Sequence, residues 1–322
     1  MLDRKKNVVL FLVVAMLGAF SPLTSSLSAQ SSPAPSEGLR ITLLGTGSGP
    51  AVNLEQFGAS TLVEAGSERF LFDSGRGATL RLVEAGVPIG SVARVFLTHL
   101  HSDHVVDLPD LLLSGWANSA TGRRSPLRVW GPTGTAAMMD ALQQAFSFDI
   151  RIRRDIDEHF SPEGIRVISR DIDQGVVFDE GGVKVTAFLV DHEPIKPAFG
   201  YRIDYRGRSV ALSGDTRFSE NLIKFAEGVD VLIHEATDPV GLRARTTNPA
   251  LTEAVIAHHA TPEQVGEVFS RVRPRLAVYS HVSNATRILE QTRKTYAGPL
   301  EGPEDLLRIE VGDAIVVHRK AR

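Results

Sequence analysis

Beyond residue 38 the apolar residues arrive in short runs of four to eight, broken by glycine, proline or charged pairs. Runs of that length, rich in valine, isoleucine and leucine, predict strands. Segments 39–44, 60–65 and 69–72 are the first three, with 45–50 (GTGSGP) as a loop after the first. A helix at 79–85 leads to a strand at 94–97. A helix at 108–116, a strand at 128–130 and a helix at 134–146 follow. Residues 150–191 alternate like a meander, with strands at 166–169, 175–178 and 183–190. Arg206-Gly207 reads as the turn of a hairpin between 200–205 and 209–213. Helices at 221–226 and 262–272 then alternate with strands at 231–234 and 276–279, before a closing pair around 307–317. Two β-rich halves with helices outside predict an α+β fold, an αββα sandwich of two face-to-face sheets in one domain spanning 39–318.

The N-terminus follows another pattern. Arg4-Lys5-Lys6 precedes an apolar run at 8–20, and Leu27-Ser28-Ala29 supplies small residues. That is the order of a secretory signal, read as 1–29, followed by a flexible leader at 30–38. Export to the periplasm or medium is expected, with no membrane attachment after cleavage. An uncleaved anchor is the alternative, although the apolar run is short for a bilayer span. Residues 319–322 form a basic tail.

Loss of 1–29 removes Asp3, Arg4, Lys5 and Lys6, which moves the net charge from -3 to -5. Such a surface has no general attraction for nucleic acid. The clusters Arg123-Arg124 and 151–154 read as solvated surface. The chain has no cysteine, so any metal must be held by nitrogen and oxygen.

Directly after the 94–97 strand comes His99-x-His101-x-Asp103-His104. Three imidazoles and a carboxylate within six residues need solvent or a cation to satisfy them. The set is one that zinc accepts. Further candidates follow apolar strands in the same way: Asp191-His192, Asp215, His234 and His281. Strand ends on one edge of a sandwich share a neighbourhood, a rigid placement for a metal site. The glycines at 45–49 lack the G-x-G-x-x-G spacing and open no helix, so they read as a tight turn. Thr261-Pro262-x-Gln264 reads as a capping box that starts a helix just after His259.

These motifs, together with Phe199-Gly200-Tyr201-Arg202, Ser213-Gly214-Asp215-Thr216, Ser280-His281 and Phe72-Asp73-Ser74-Gly75, resemble the metallo-β-lactamase-fold hydrolases, and within them the ribonuclease Z and arylsulfatase-like branch. The resemblance implies one zinc on His99, His101 and His192, and a second on Asp103, His104 and His281. Asp215 would bridge the two, and Mn2+ or Fe2+ suits the same donors. Two such cations share a hydroxide and stabilise charge on an attacked phosphoryl or acyl oxygen. Asp103 and His259 are the catalytic candidates, His259 at the scissile phosphate or leaving oxygen. Asp73 and His234 are expected behind the ligands, although Asp73 reads equally as the cap of its own turn. His159 and His318 are expected at the surface. Trp116, Phe146, Phe148 and Phe199 are candidate pocket aromatics.

Ribonuclease Z proper carries a long tRNA-gripping arm between the Gly-Tyr-Arg and Ser-Gly-Asp motifs. Here 22 residues separate His192 from Asp215, room for a plain hairpin. The expectation is therefore an exported dinuclear zinc hydrolase of small-molecule esters, phosphodiesters or sulfate esters, with tRNA not expected as a partner. Lactone or β-lactam hydrolysis on the same metals is the alternative. Oligomeric state, a homodimer included, is left open by the sequence.

Overall fold

The computed structural model describes residues 38–283 and 285–320. The signal and leader readings at 1–37, and the last two residues of the basic tail, lie outside the described residues. The strands in chain order are β1 (Leu39–Gly45), β2 (Ser60–Ala65), β3 (Glu68–Phe72), β4 (Arg94–Phe96), β5 (Leu127–Gly131) and β6 (Val167–Asp171), all in one sheet. A second sheet takes β7 (Gly175–Glu180), β8 (Val183–Val190), β9 (Ala198–Tyr205), β10 (Arg208–Leu212), β11 (Val231–His234), β12 (Leu276–Tyr279) and β13 (Leu300–Glu301). The chain then returns to the first sheet with β14 (Leu307–Val311) and β15 (Ile315–His318).

The sheets run β15-β14-β1-β2-β3-β4-β5-β6 and β13-β12-β11-β10-β9-β8-β7. In each, one half is antiparallel and the other parallel: β3 to β6 in the first, β10 to β13 in the second. Parallel neighbours need crossovers, and helices supply most of them. Three apolar layers follow. Leu39, Ile41, Phe70, Phe96, Tyr201 and Ile203 meet between the sheets, where Phe96 stacks on Trp130 at 4.7 Å. Leu82, Leu111, Trp116 and Met139 fill the space between the first sheet and its helices, and Leu222, Val265 and Phe269 do so outside the second. The molecule is an α+β sandwich with helices on both outer faces.

The meander expected over 150–191 is divided. Its first part is helical, Ser147–Arg151 running on through Ile152–Ile156. β6 then joins the first sheet in parallel to β5, while β7 and β8 open the second sheet as a hairpin. Alternation along a strand reports which face is buried and not which sheet the strand enters. Helices Pro239–Arg245, Pro249–Ala257 and Ala285–Thr292 were not expected either. Pro249–Ala257 buries only Thr252, so no amphipathic stripe marks it. No helix among the described residues is long and apolar enough to cross a membrane.

Candidate metal centre

Parallel strands all point their carboxyl ends the same way, and open α/β sheets place ligands there. β4 ends at Phe96, and Thr98 and His99 follow at once. His101 is the extended residue before a one-turn helix, Ser102–Val105, which presents Asp103 and His104 side by side. The second sheet contributes His192 after β8, Asp215 after β10 and His281 after β12. Three sets of donor atoms gather within 4.8 Å of one another: His99, His101, His192 and Asp215; Asp103, His104 and His281; Asp215, His259 and His281. Asp215 is central. Its Oδ2 lies 3.4 Å from His104 Nε2, 3.8 Å from His99 Nε2 and 3.9 Å from His192 Nε2, and its Oδ1 lies 3.3 Å from His281 Nδ1. Asp103 Oδ2 is 3.3 Å from His281 Nε2, which puts this carboxylate with the ligands.

Each inner histidine is held by its other nitrogen. His104 Nδ1 donates to Asp73 Oδ2 at 2.8 Å, and His192 Nδ1 donates to the His258 carbonyl at 2.9 Å. His99 Nδ1 lies 3.0 Å from the Thr98 hydroxyl, which itself donates to Asp73 Oδ2. Asp73 thus acts on two imidazoles, directly and through Thr98. It is also the acceptor for the Thr98 amide at 2.8 Å. Its φ of 58° is left-handed, a conformation Asp tolerates better than most residues. Gly75 lets this turn lie against the ligand helix, since a Cβ there would come within 2.4 Å of the Asp103 carbonyl oxygen.

The Nε2 atoms of His99, His104 and His192 are buried and have no hydrogen-bond partner among the described residues. Buried imidazole nitrogens are seldom left unpaired, and these three converge on one carboxylate. The donor set therefore fits divalent metal. Electrostatics agree. Burial lowers the pKa of His99 and His192, keeping them neutral as ligation requires. Burial also pulls His104 down, but Asp215 and Asp73 reverse this and hold it raised, a proton that a cation would replace.

His259 stands apart from this pattern. Its Nδ1 is 3.2 Å from Glu235 Oε1, which also accepts from the Ala260 and Thr216 amides. Burial lowers its pKa, and Glu235 more than offsets this, raising it to about 9. The capping box is present, with Thr261 receiving the Gln264 amide and Gln264 Oε1 receiving the Thr261 amide, so His259 is delivered on a fixed helix entry. Glu235 and His258 were not singled out from the sequence, because a lone acid after a strand and a backbone carbonyl carry no motif. His234, expected behind the ligands, donates to the Glu235 carbonyl at 2.7 Å and packs edge-on against Phe269. Its neighbour Glu235 makes the contact to a site histidine.

The centre opens into a cleft of about 410 Å³, walled by Ser48, Pro50, Leu242, Arg245 and Val255, with His101, Asp103, His258 and His259 at its base. The expected pocket aromatics are elsewhere. Trp116 is buried and donates to the Ser161 carbonyl, Phe199 is in the core between the sheets, and Phe148 is exposed. His159 is exposed, and His318 is half-buried with Nε2 3.6 Å from Glu310.

A two-sheet sandwich with this donor set at its carboxyl edge defines a metal-dependent hydrolase of the metallo-β-lactamase fold. A family model described as "Beta-lactamase superfamily domain" matches residues 68–282, and the chain belongs to that superfamily as a ribonuclease Z-like member. It is 35% identical over 290 residues to a protein named ribonuclease Z from Mycobacterium sp. (strain KMS), covering 87% of this chain and 98% of that protein. Among solved structures, human tRNase Z, short form, superposes with a TM-score of 0.62 at 22% identity, covering 85% of this chain and 99% of that one. The metallo-beta-lactamase fold protein YhfI from Bacillus subtilis superposes with a TM-score of 0.64 at 17% identity, covering 84% and 98%.

Proposed function

We propose that this chain is a phosphodiesterase that works with two zinc ions, His99, His101 and His192 holding one, Asp103, His104 and His281 the other, and Asp215 both. When bound, two such cations make a water nucleophilic near neutral pH and stabilise charge on the attacked phosphoryl oxygen. The chain's own residues do the rest. Asp73, Thr98 and the His258 carbonyl fix the imidazoles so that each presents Nε2. His259, with Nδ1 committed to Glu235, keeps Nε2 for the cleft and gives a proton to the leaving ester oxygen. The single observation that carries the phosphodiester reading is this pair, half-buried His259 on buried Glu235, beside the donor clusters. An alkoxide or nucleoside oxygen leaving phosphorus needs such a donor.

The relatives' name favours RNA as the diester. The expectation against tRNA rested on a missing arm, a net acidic surface and export. Yet the mycobacterial ribonuclease Z aligns almost end to end with this chain, which leaves little room for a large segment that it alone carries. Export of the chain by residues 1–29 belongs to the same proposal and is tested by cell fractionation. Small phosphodiesters or sulfate esters are the substrates to expect if the protein is recovered outside the cytoplasm.

Zinc-loaded protein assayed against bis(p-nitrophenyl) phosphate, p-nitrophenyl sulfate, nitrocefin and a tRNA precursor with a 3′ trailer separates the classes. Turnover of the diester and the precursor is expected. Cleavage of nitrocefin with both phosphodiesters untouched would overturn the reading in favour of an acyl substrate.

A further inference from the structure

An imidazole is only as well placed as the backbone that carries it, and His192 sits on the loop between β8 and β9 rather than in a strand. One side chain holds that loop from outside. Arg217, two residues beyond Asp215, donates its amide to the Asp191 carbonyl at 2.7 Å and its Nη2 to the Glu193 carbonyl at 3.0 Å. Its Nη1 is 3.4 Å from both oxygens of the Asp191 carboxylate. Asp191 Oδ1 in turn accepts the Glu193 amide at 3.2 Å. The residues on both sides of His192 are thus tied to the segment that carries Asp215.

The third direction of the guanidinium fork reaches further. Arg217 Nε donates at 2.5 Å to the carbonyl of Ala257, the last residue of the helix Pro249–Ala257. That helix buries only Thr252, so packing alone does not fix where it ends. The next residue is His258, whose carbonyl receives His192 Nδ1 at 2.9 Å and whose ring lies 5.0 Å from the His192 ring. The contacts therefore form a closed circuit through Arg217, His192, His258 and back by Ala257. Among the described residues no such circuit includes His104 or His281. His104 is held by Asp73, and His281 Nε2 faces Asp103 and, at 3.5 Å, the Gly49 amide. With the Arg217 and Asp191 side chains 37% and 48% exposed, their ion pair adds little to stability. What a planar cation among three acceptors supplies is orientation.

We infer that Arg217 is a positioning residue for one metal position alone. By locking His192 against the His258 carbonyl it sets the affinity of the position made by His99, His101 and His192, and it leaves the position made by Asp103, His104 and His281 unchanged. The inference rests on the two-metal reading of the site and goes beyond it, since the two positions become separately adjustable from outside the donor set.

Titration of the metal-free protein with Zn2+ in competition with a chromophoric chelator reads both affinities without turnover. Arg217→Gln is expected to weaken one step roughly 10- to 100-fold and to leave the other within about twofold. His192→Ala should remove the same step and Asp103→Asn the other, which assigns them. Arg217→Lys, which meets Asp191 but cannot span both carbonyls, should recover part of the loss. Should Arg217→Gln fail to fold, Arg217→Lys carries the test as a smaller shift in the same step. Arg243→Gln breaks an exposed pair with Glu253 and should change neither step. Equal weakening of both steps, or of neither, overturns the inference. A parent chain that takes up a single metal overturns the two-metal reading; the inference then survives if that step weakens in Arg217→Gln and is lost in His192→Ala, and fails if Arg217→Gln leaves it untouched. If one step weakens as expected while no phosphodiester is cleaved, the proposed activity fails and the positioning role stands.

Discussion

Asp73 and Glu235 do comparable work on opposite sides of the centre, each holding an imidazole by Nδ1. Asp73→Asn keeps a side chain that tolerates the left-handed backbone but removes the charge facing His104. Metal affinity should fall roughly 10- to 100-fold in a chelator competition, with the fold intact. His259→Ala should lower kcat about 100-fold while metal content stays as in the parent chain. Because His259 also lies within 4.8 Å of Asp215 and His281, loss of metal from that variant would instead make it a ligand. Glu235→Gln should show part of the same kcat loss with little change in KM. The metal-ligand candidates could be picked out from sequence because they cluster just after apolar strands, and His259 because a capping box follows it. Glu235 also follows a strand, β11, but without any motif, and could not be picked out, since its role is set by a helix entry 25 residues further on, where it also receives the Ala260 amide.

At the scale of elements, the connection between β1 and β2 depends on one acid from the far end of the chain. Asp305→Ala removes the acceptor for the Thr46 and Phe57 amides and the partner of Arg81. A loss of about 2 kcal/mol is expected, a fall in melting temperature of about 5 °C, with faster proteolysis at 46–57. Most strand positions were legible because apolar runs bounded by turn residues report burial directly, whereas the two-residue β13 was not. The Arg206-Gly207 hairpin is a case in point, both residues taking the positive φ that a tight two-residue turn demands. What escaped were helices such as Pro249–Ala257, held by its Asn248 cap and a neighbour rather than by a buried stripe. The division of β6 from β7 escaped for a related reason: sheet membership is decided by partners distant in sequence.

Over the whole molecule, the first sheet supplies His99, His101, Asp103 and His104, and the second supplies His192, Asp215 and His281. Any ion bound by this set ties the two sheets together at one edge. Zinc at about a thousandfold over its Kd should add about 4 kcal/mol of stability. Melting followed with and without a chelator should therefore differ by roughly 10 °C. Equal melting temperatures would show that the centre does not bind metal in the folded protein. The layered architecture was readable from the order of strands and helices alone, whereas the closure of the first sheet was not. That closure pairs the earliest strand with one of the last, Leu39 opposite Val311 and Leu43 opposite Leu307.

The pairing has a consequence for how the molecule is made. A growing chain exposes β1 and the histidine cluster long before β14 and Asp305 leave the ribosome, so the first sheet cannot close until nearly all 322 residues exist. Contacts this distant in sequence also make for slow folding. A chain halted before residue 305 would leave β1 as an unpaired edge strand, open to pairing with another chain.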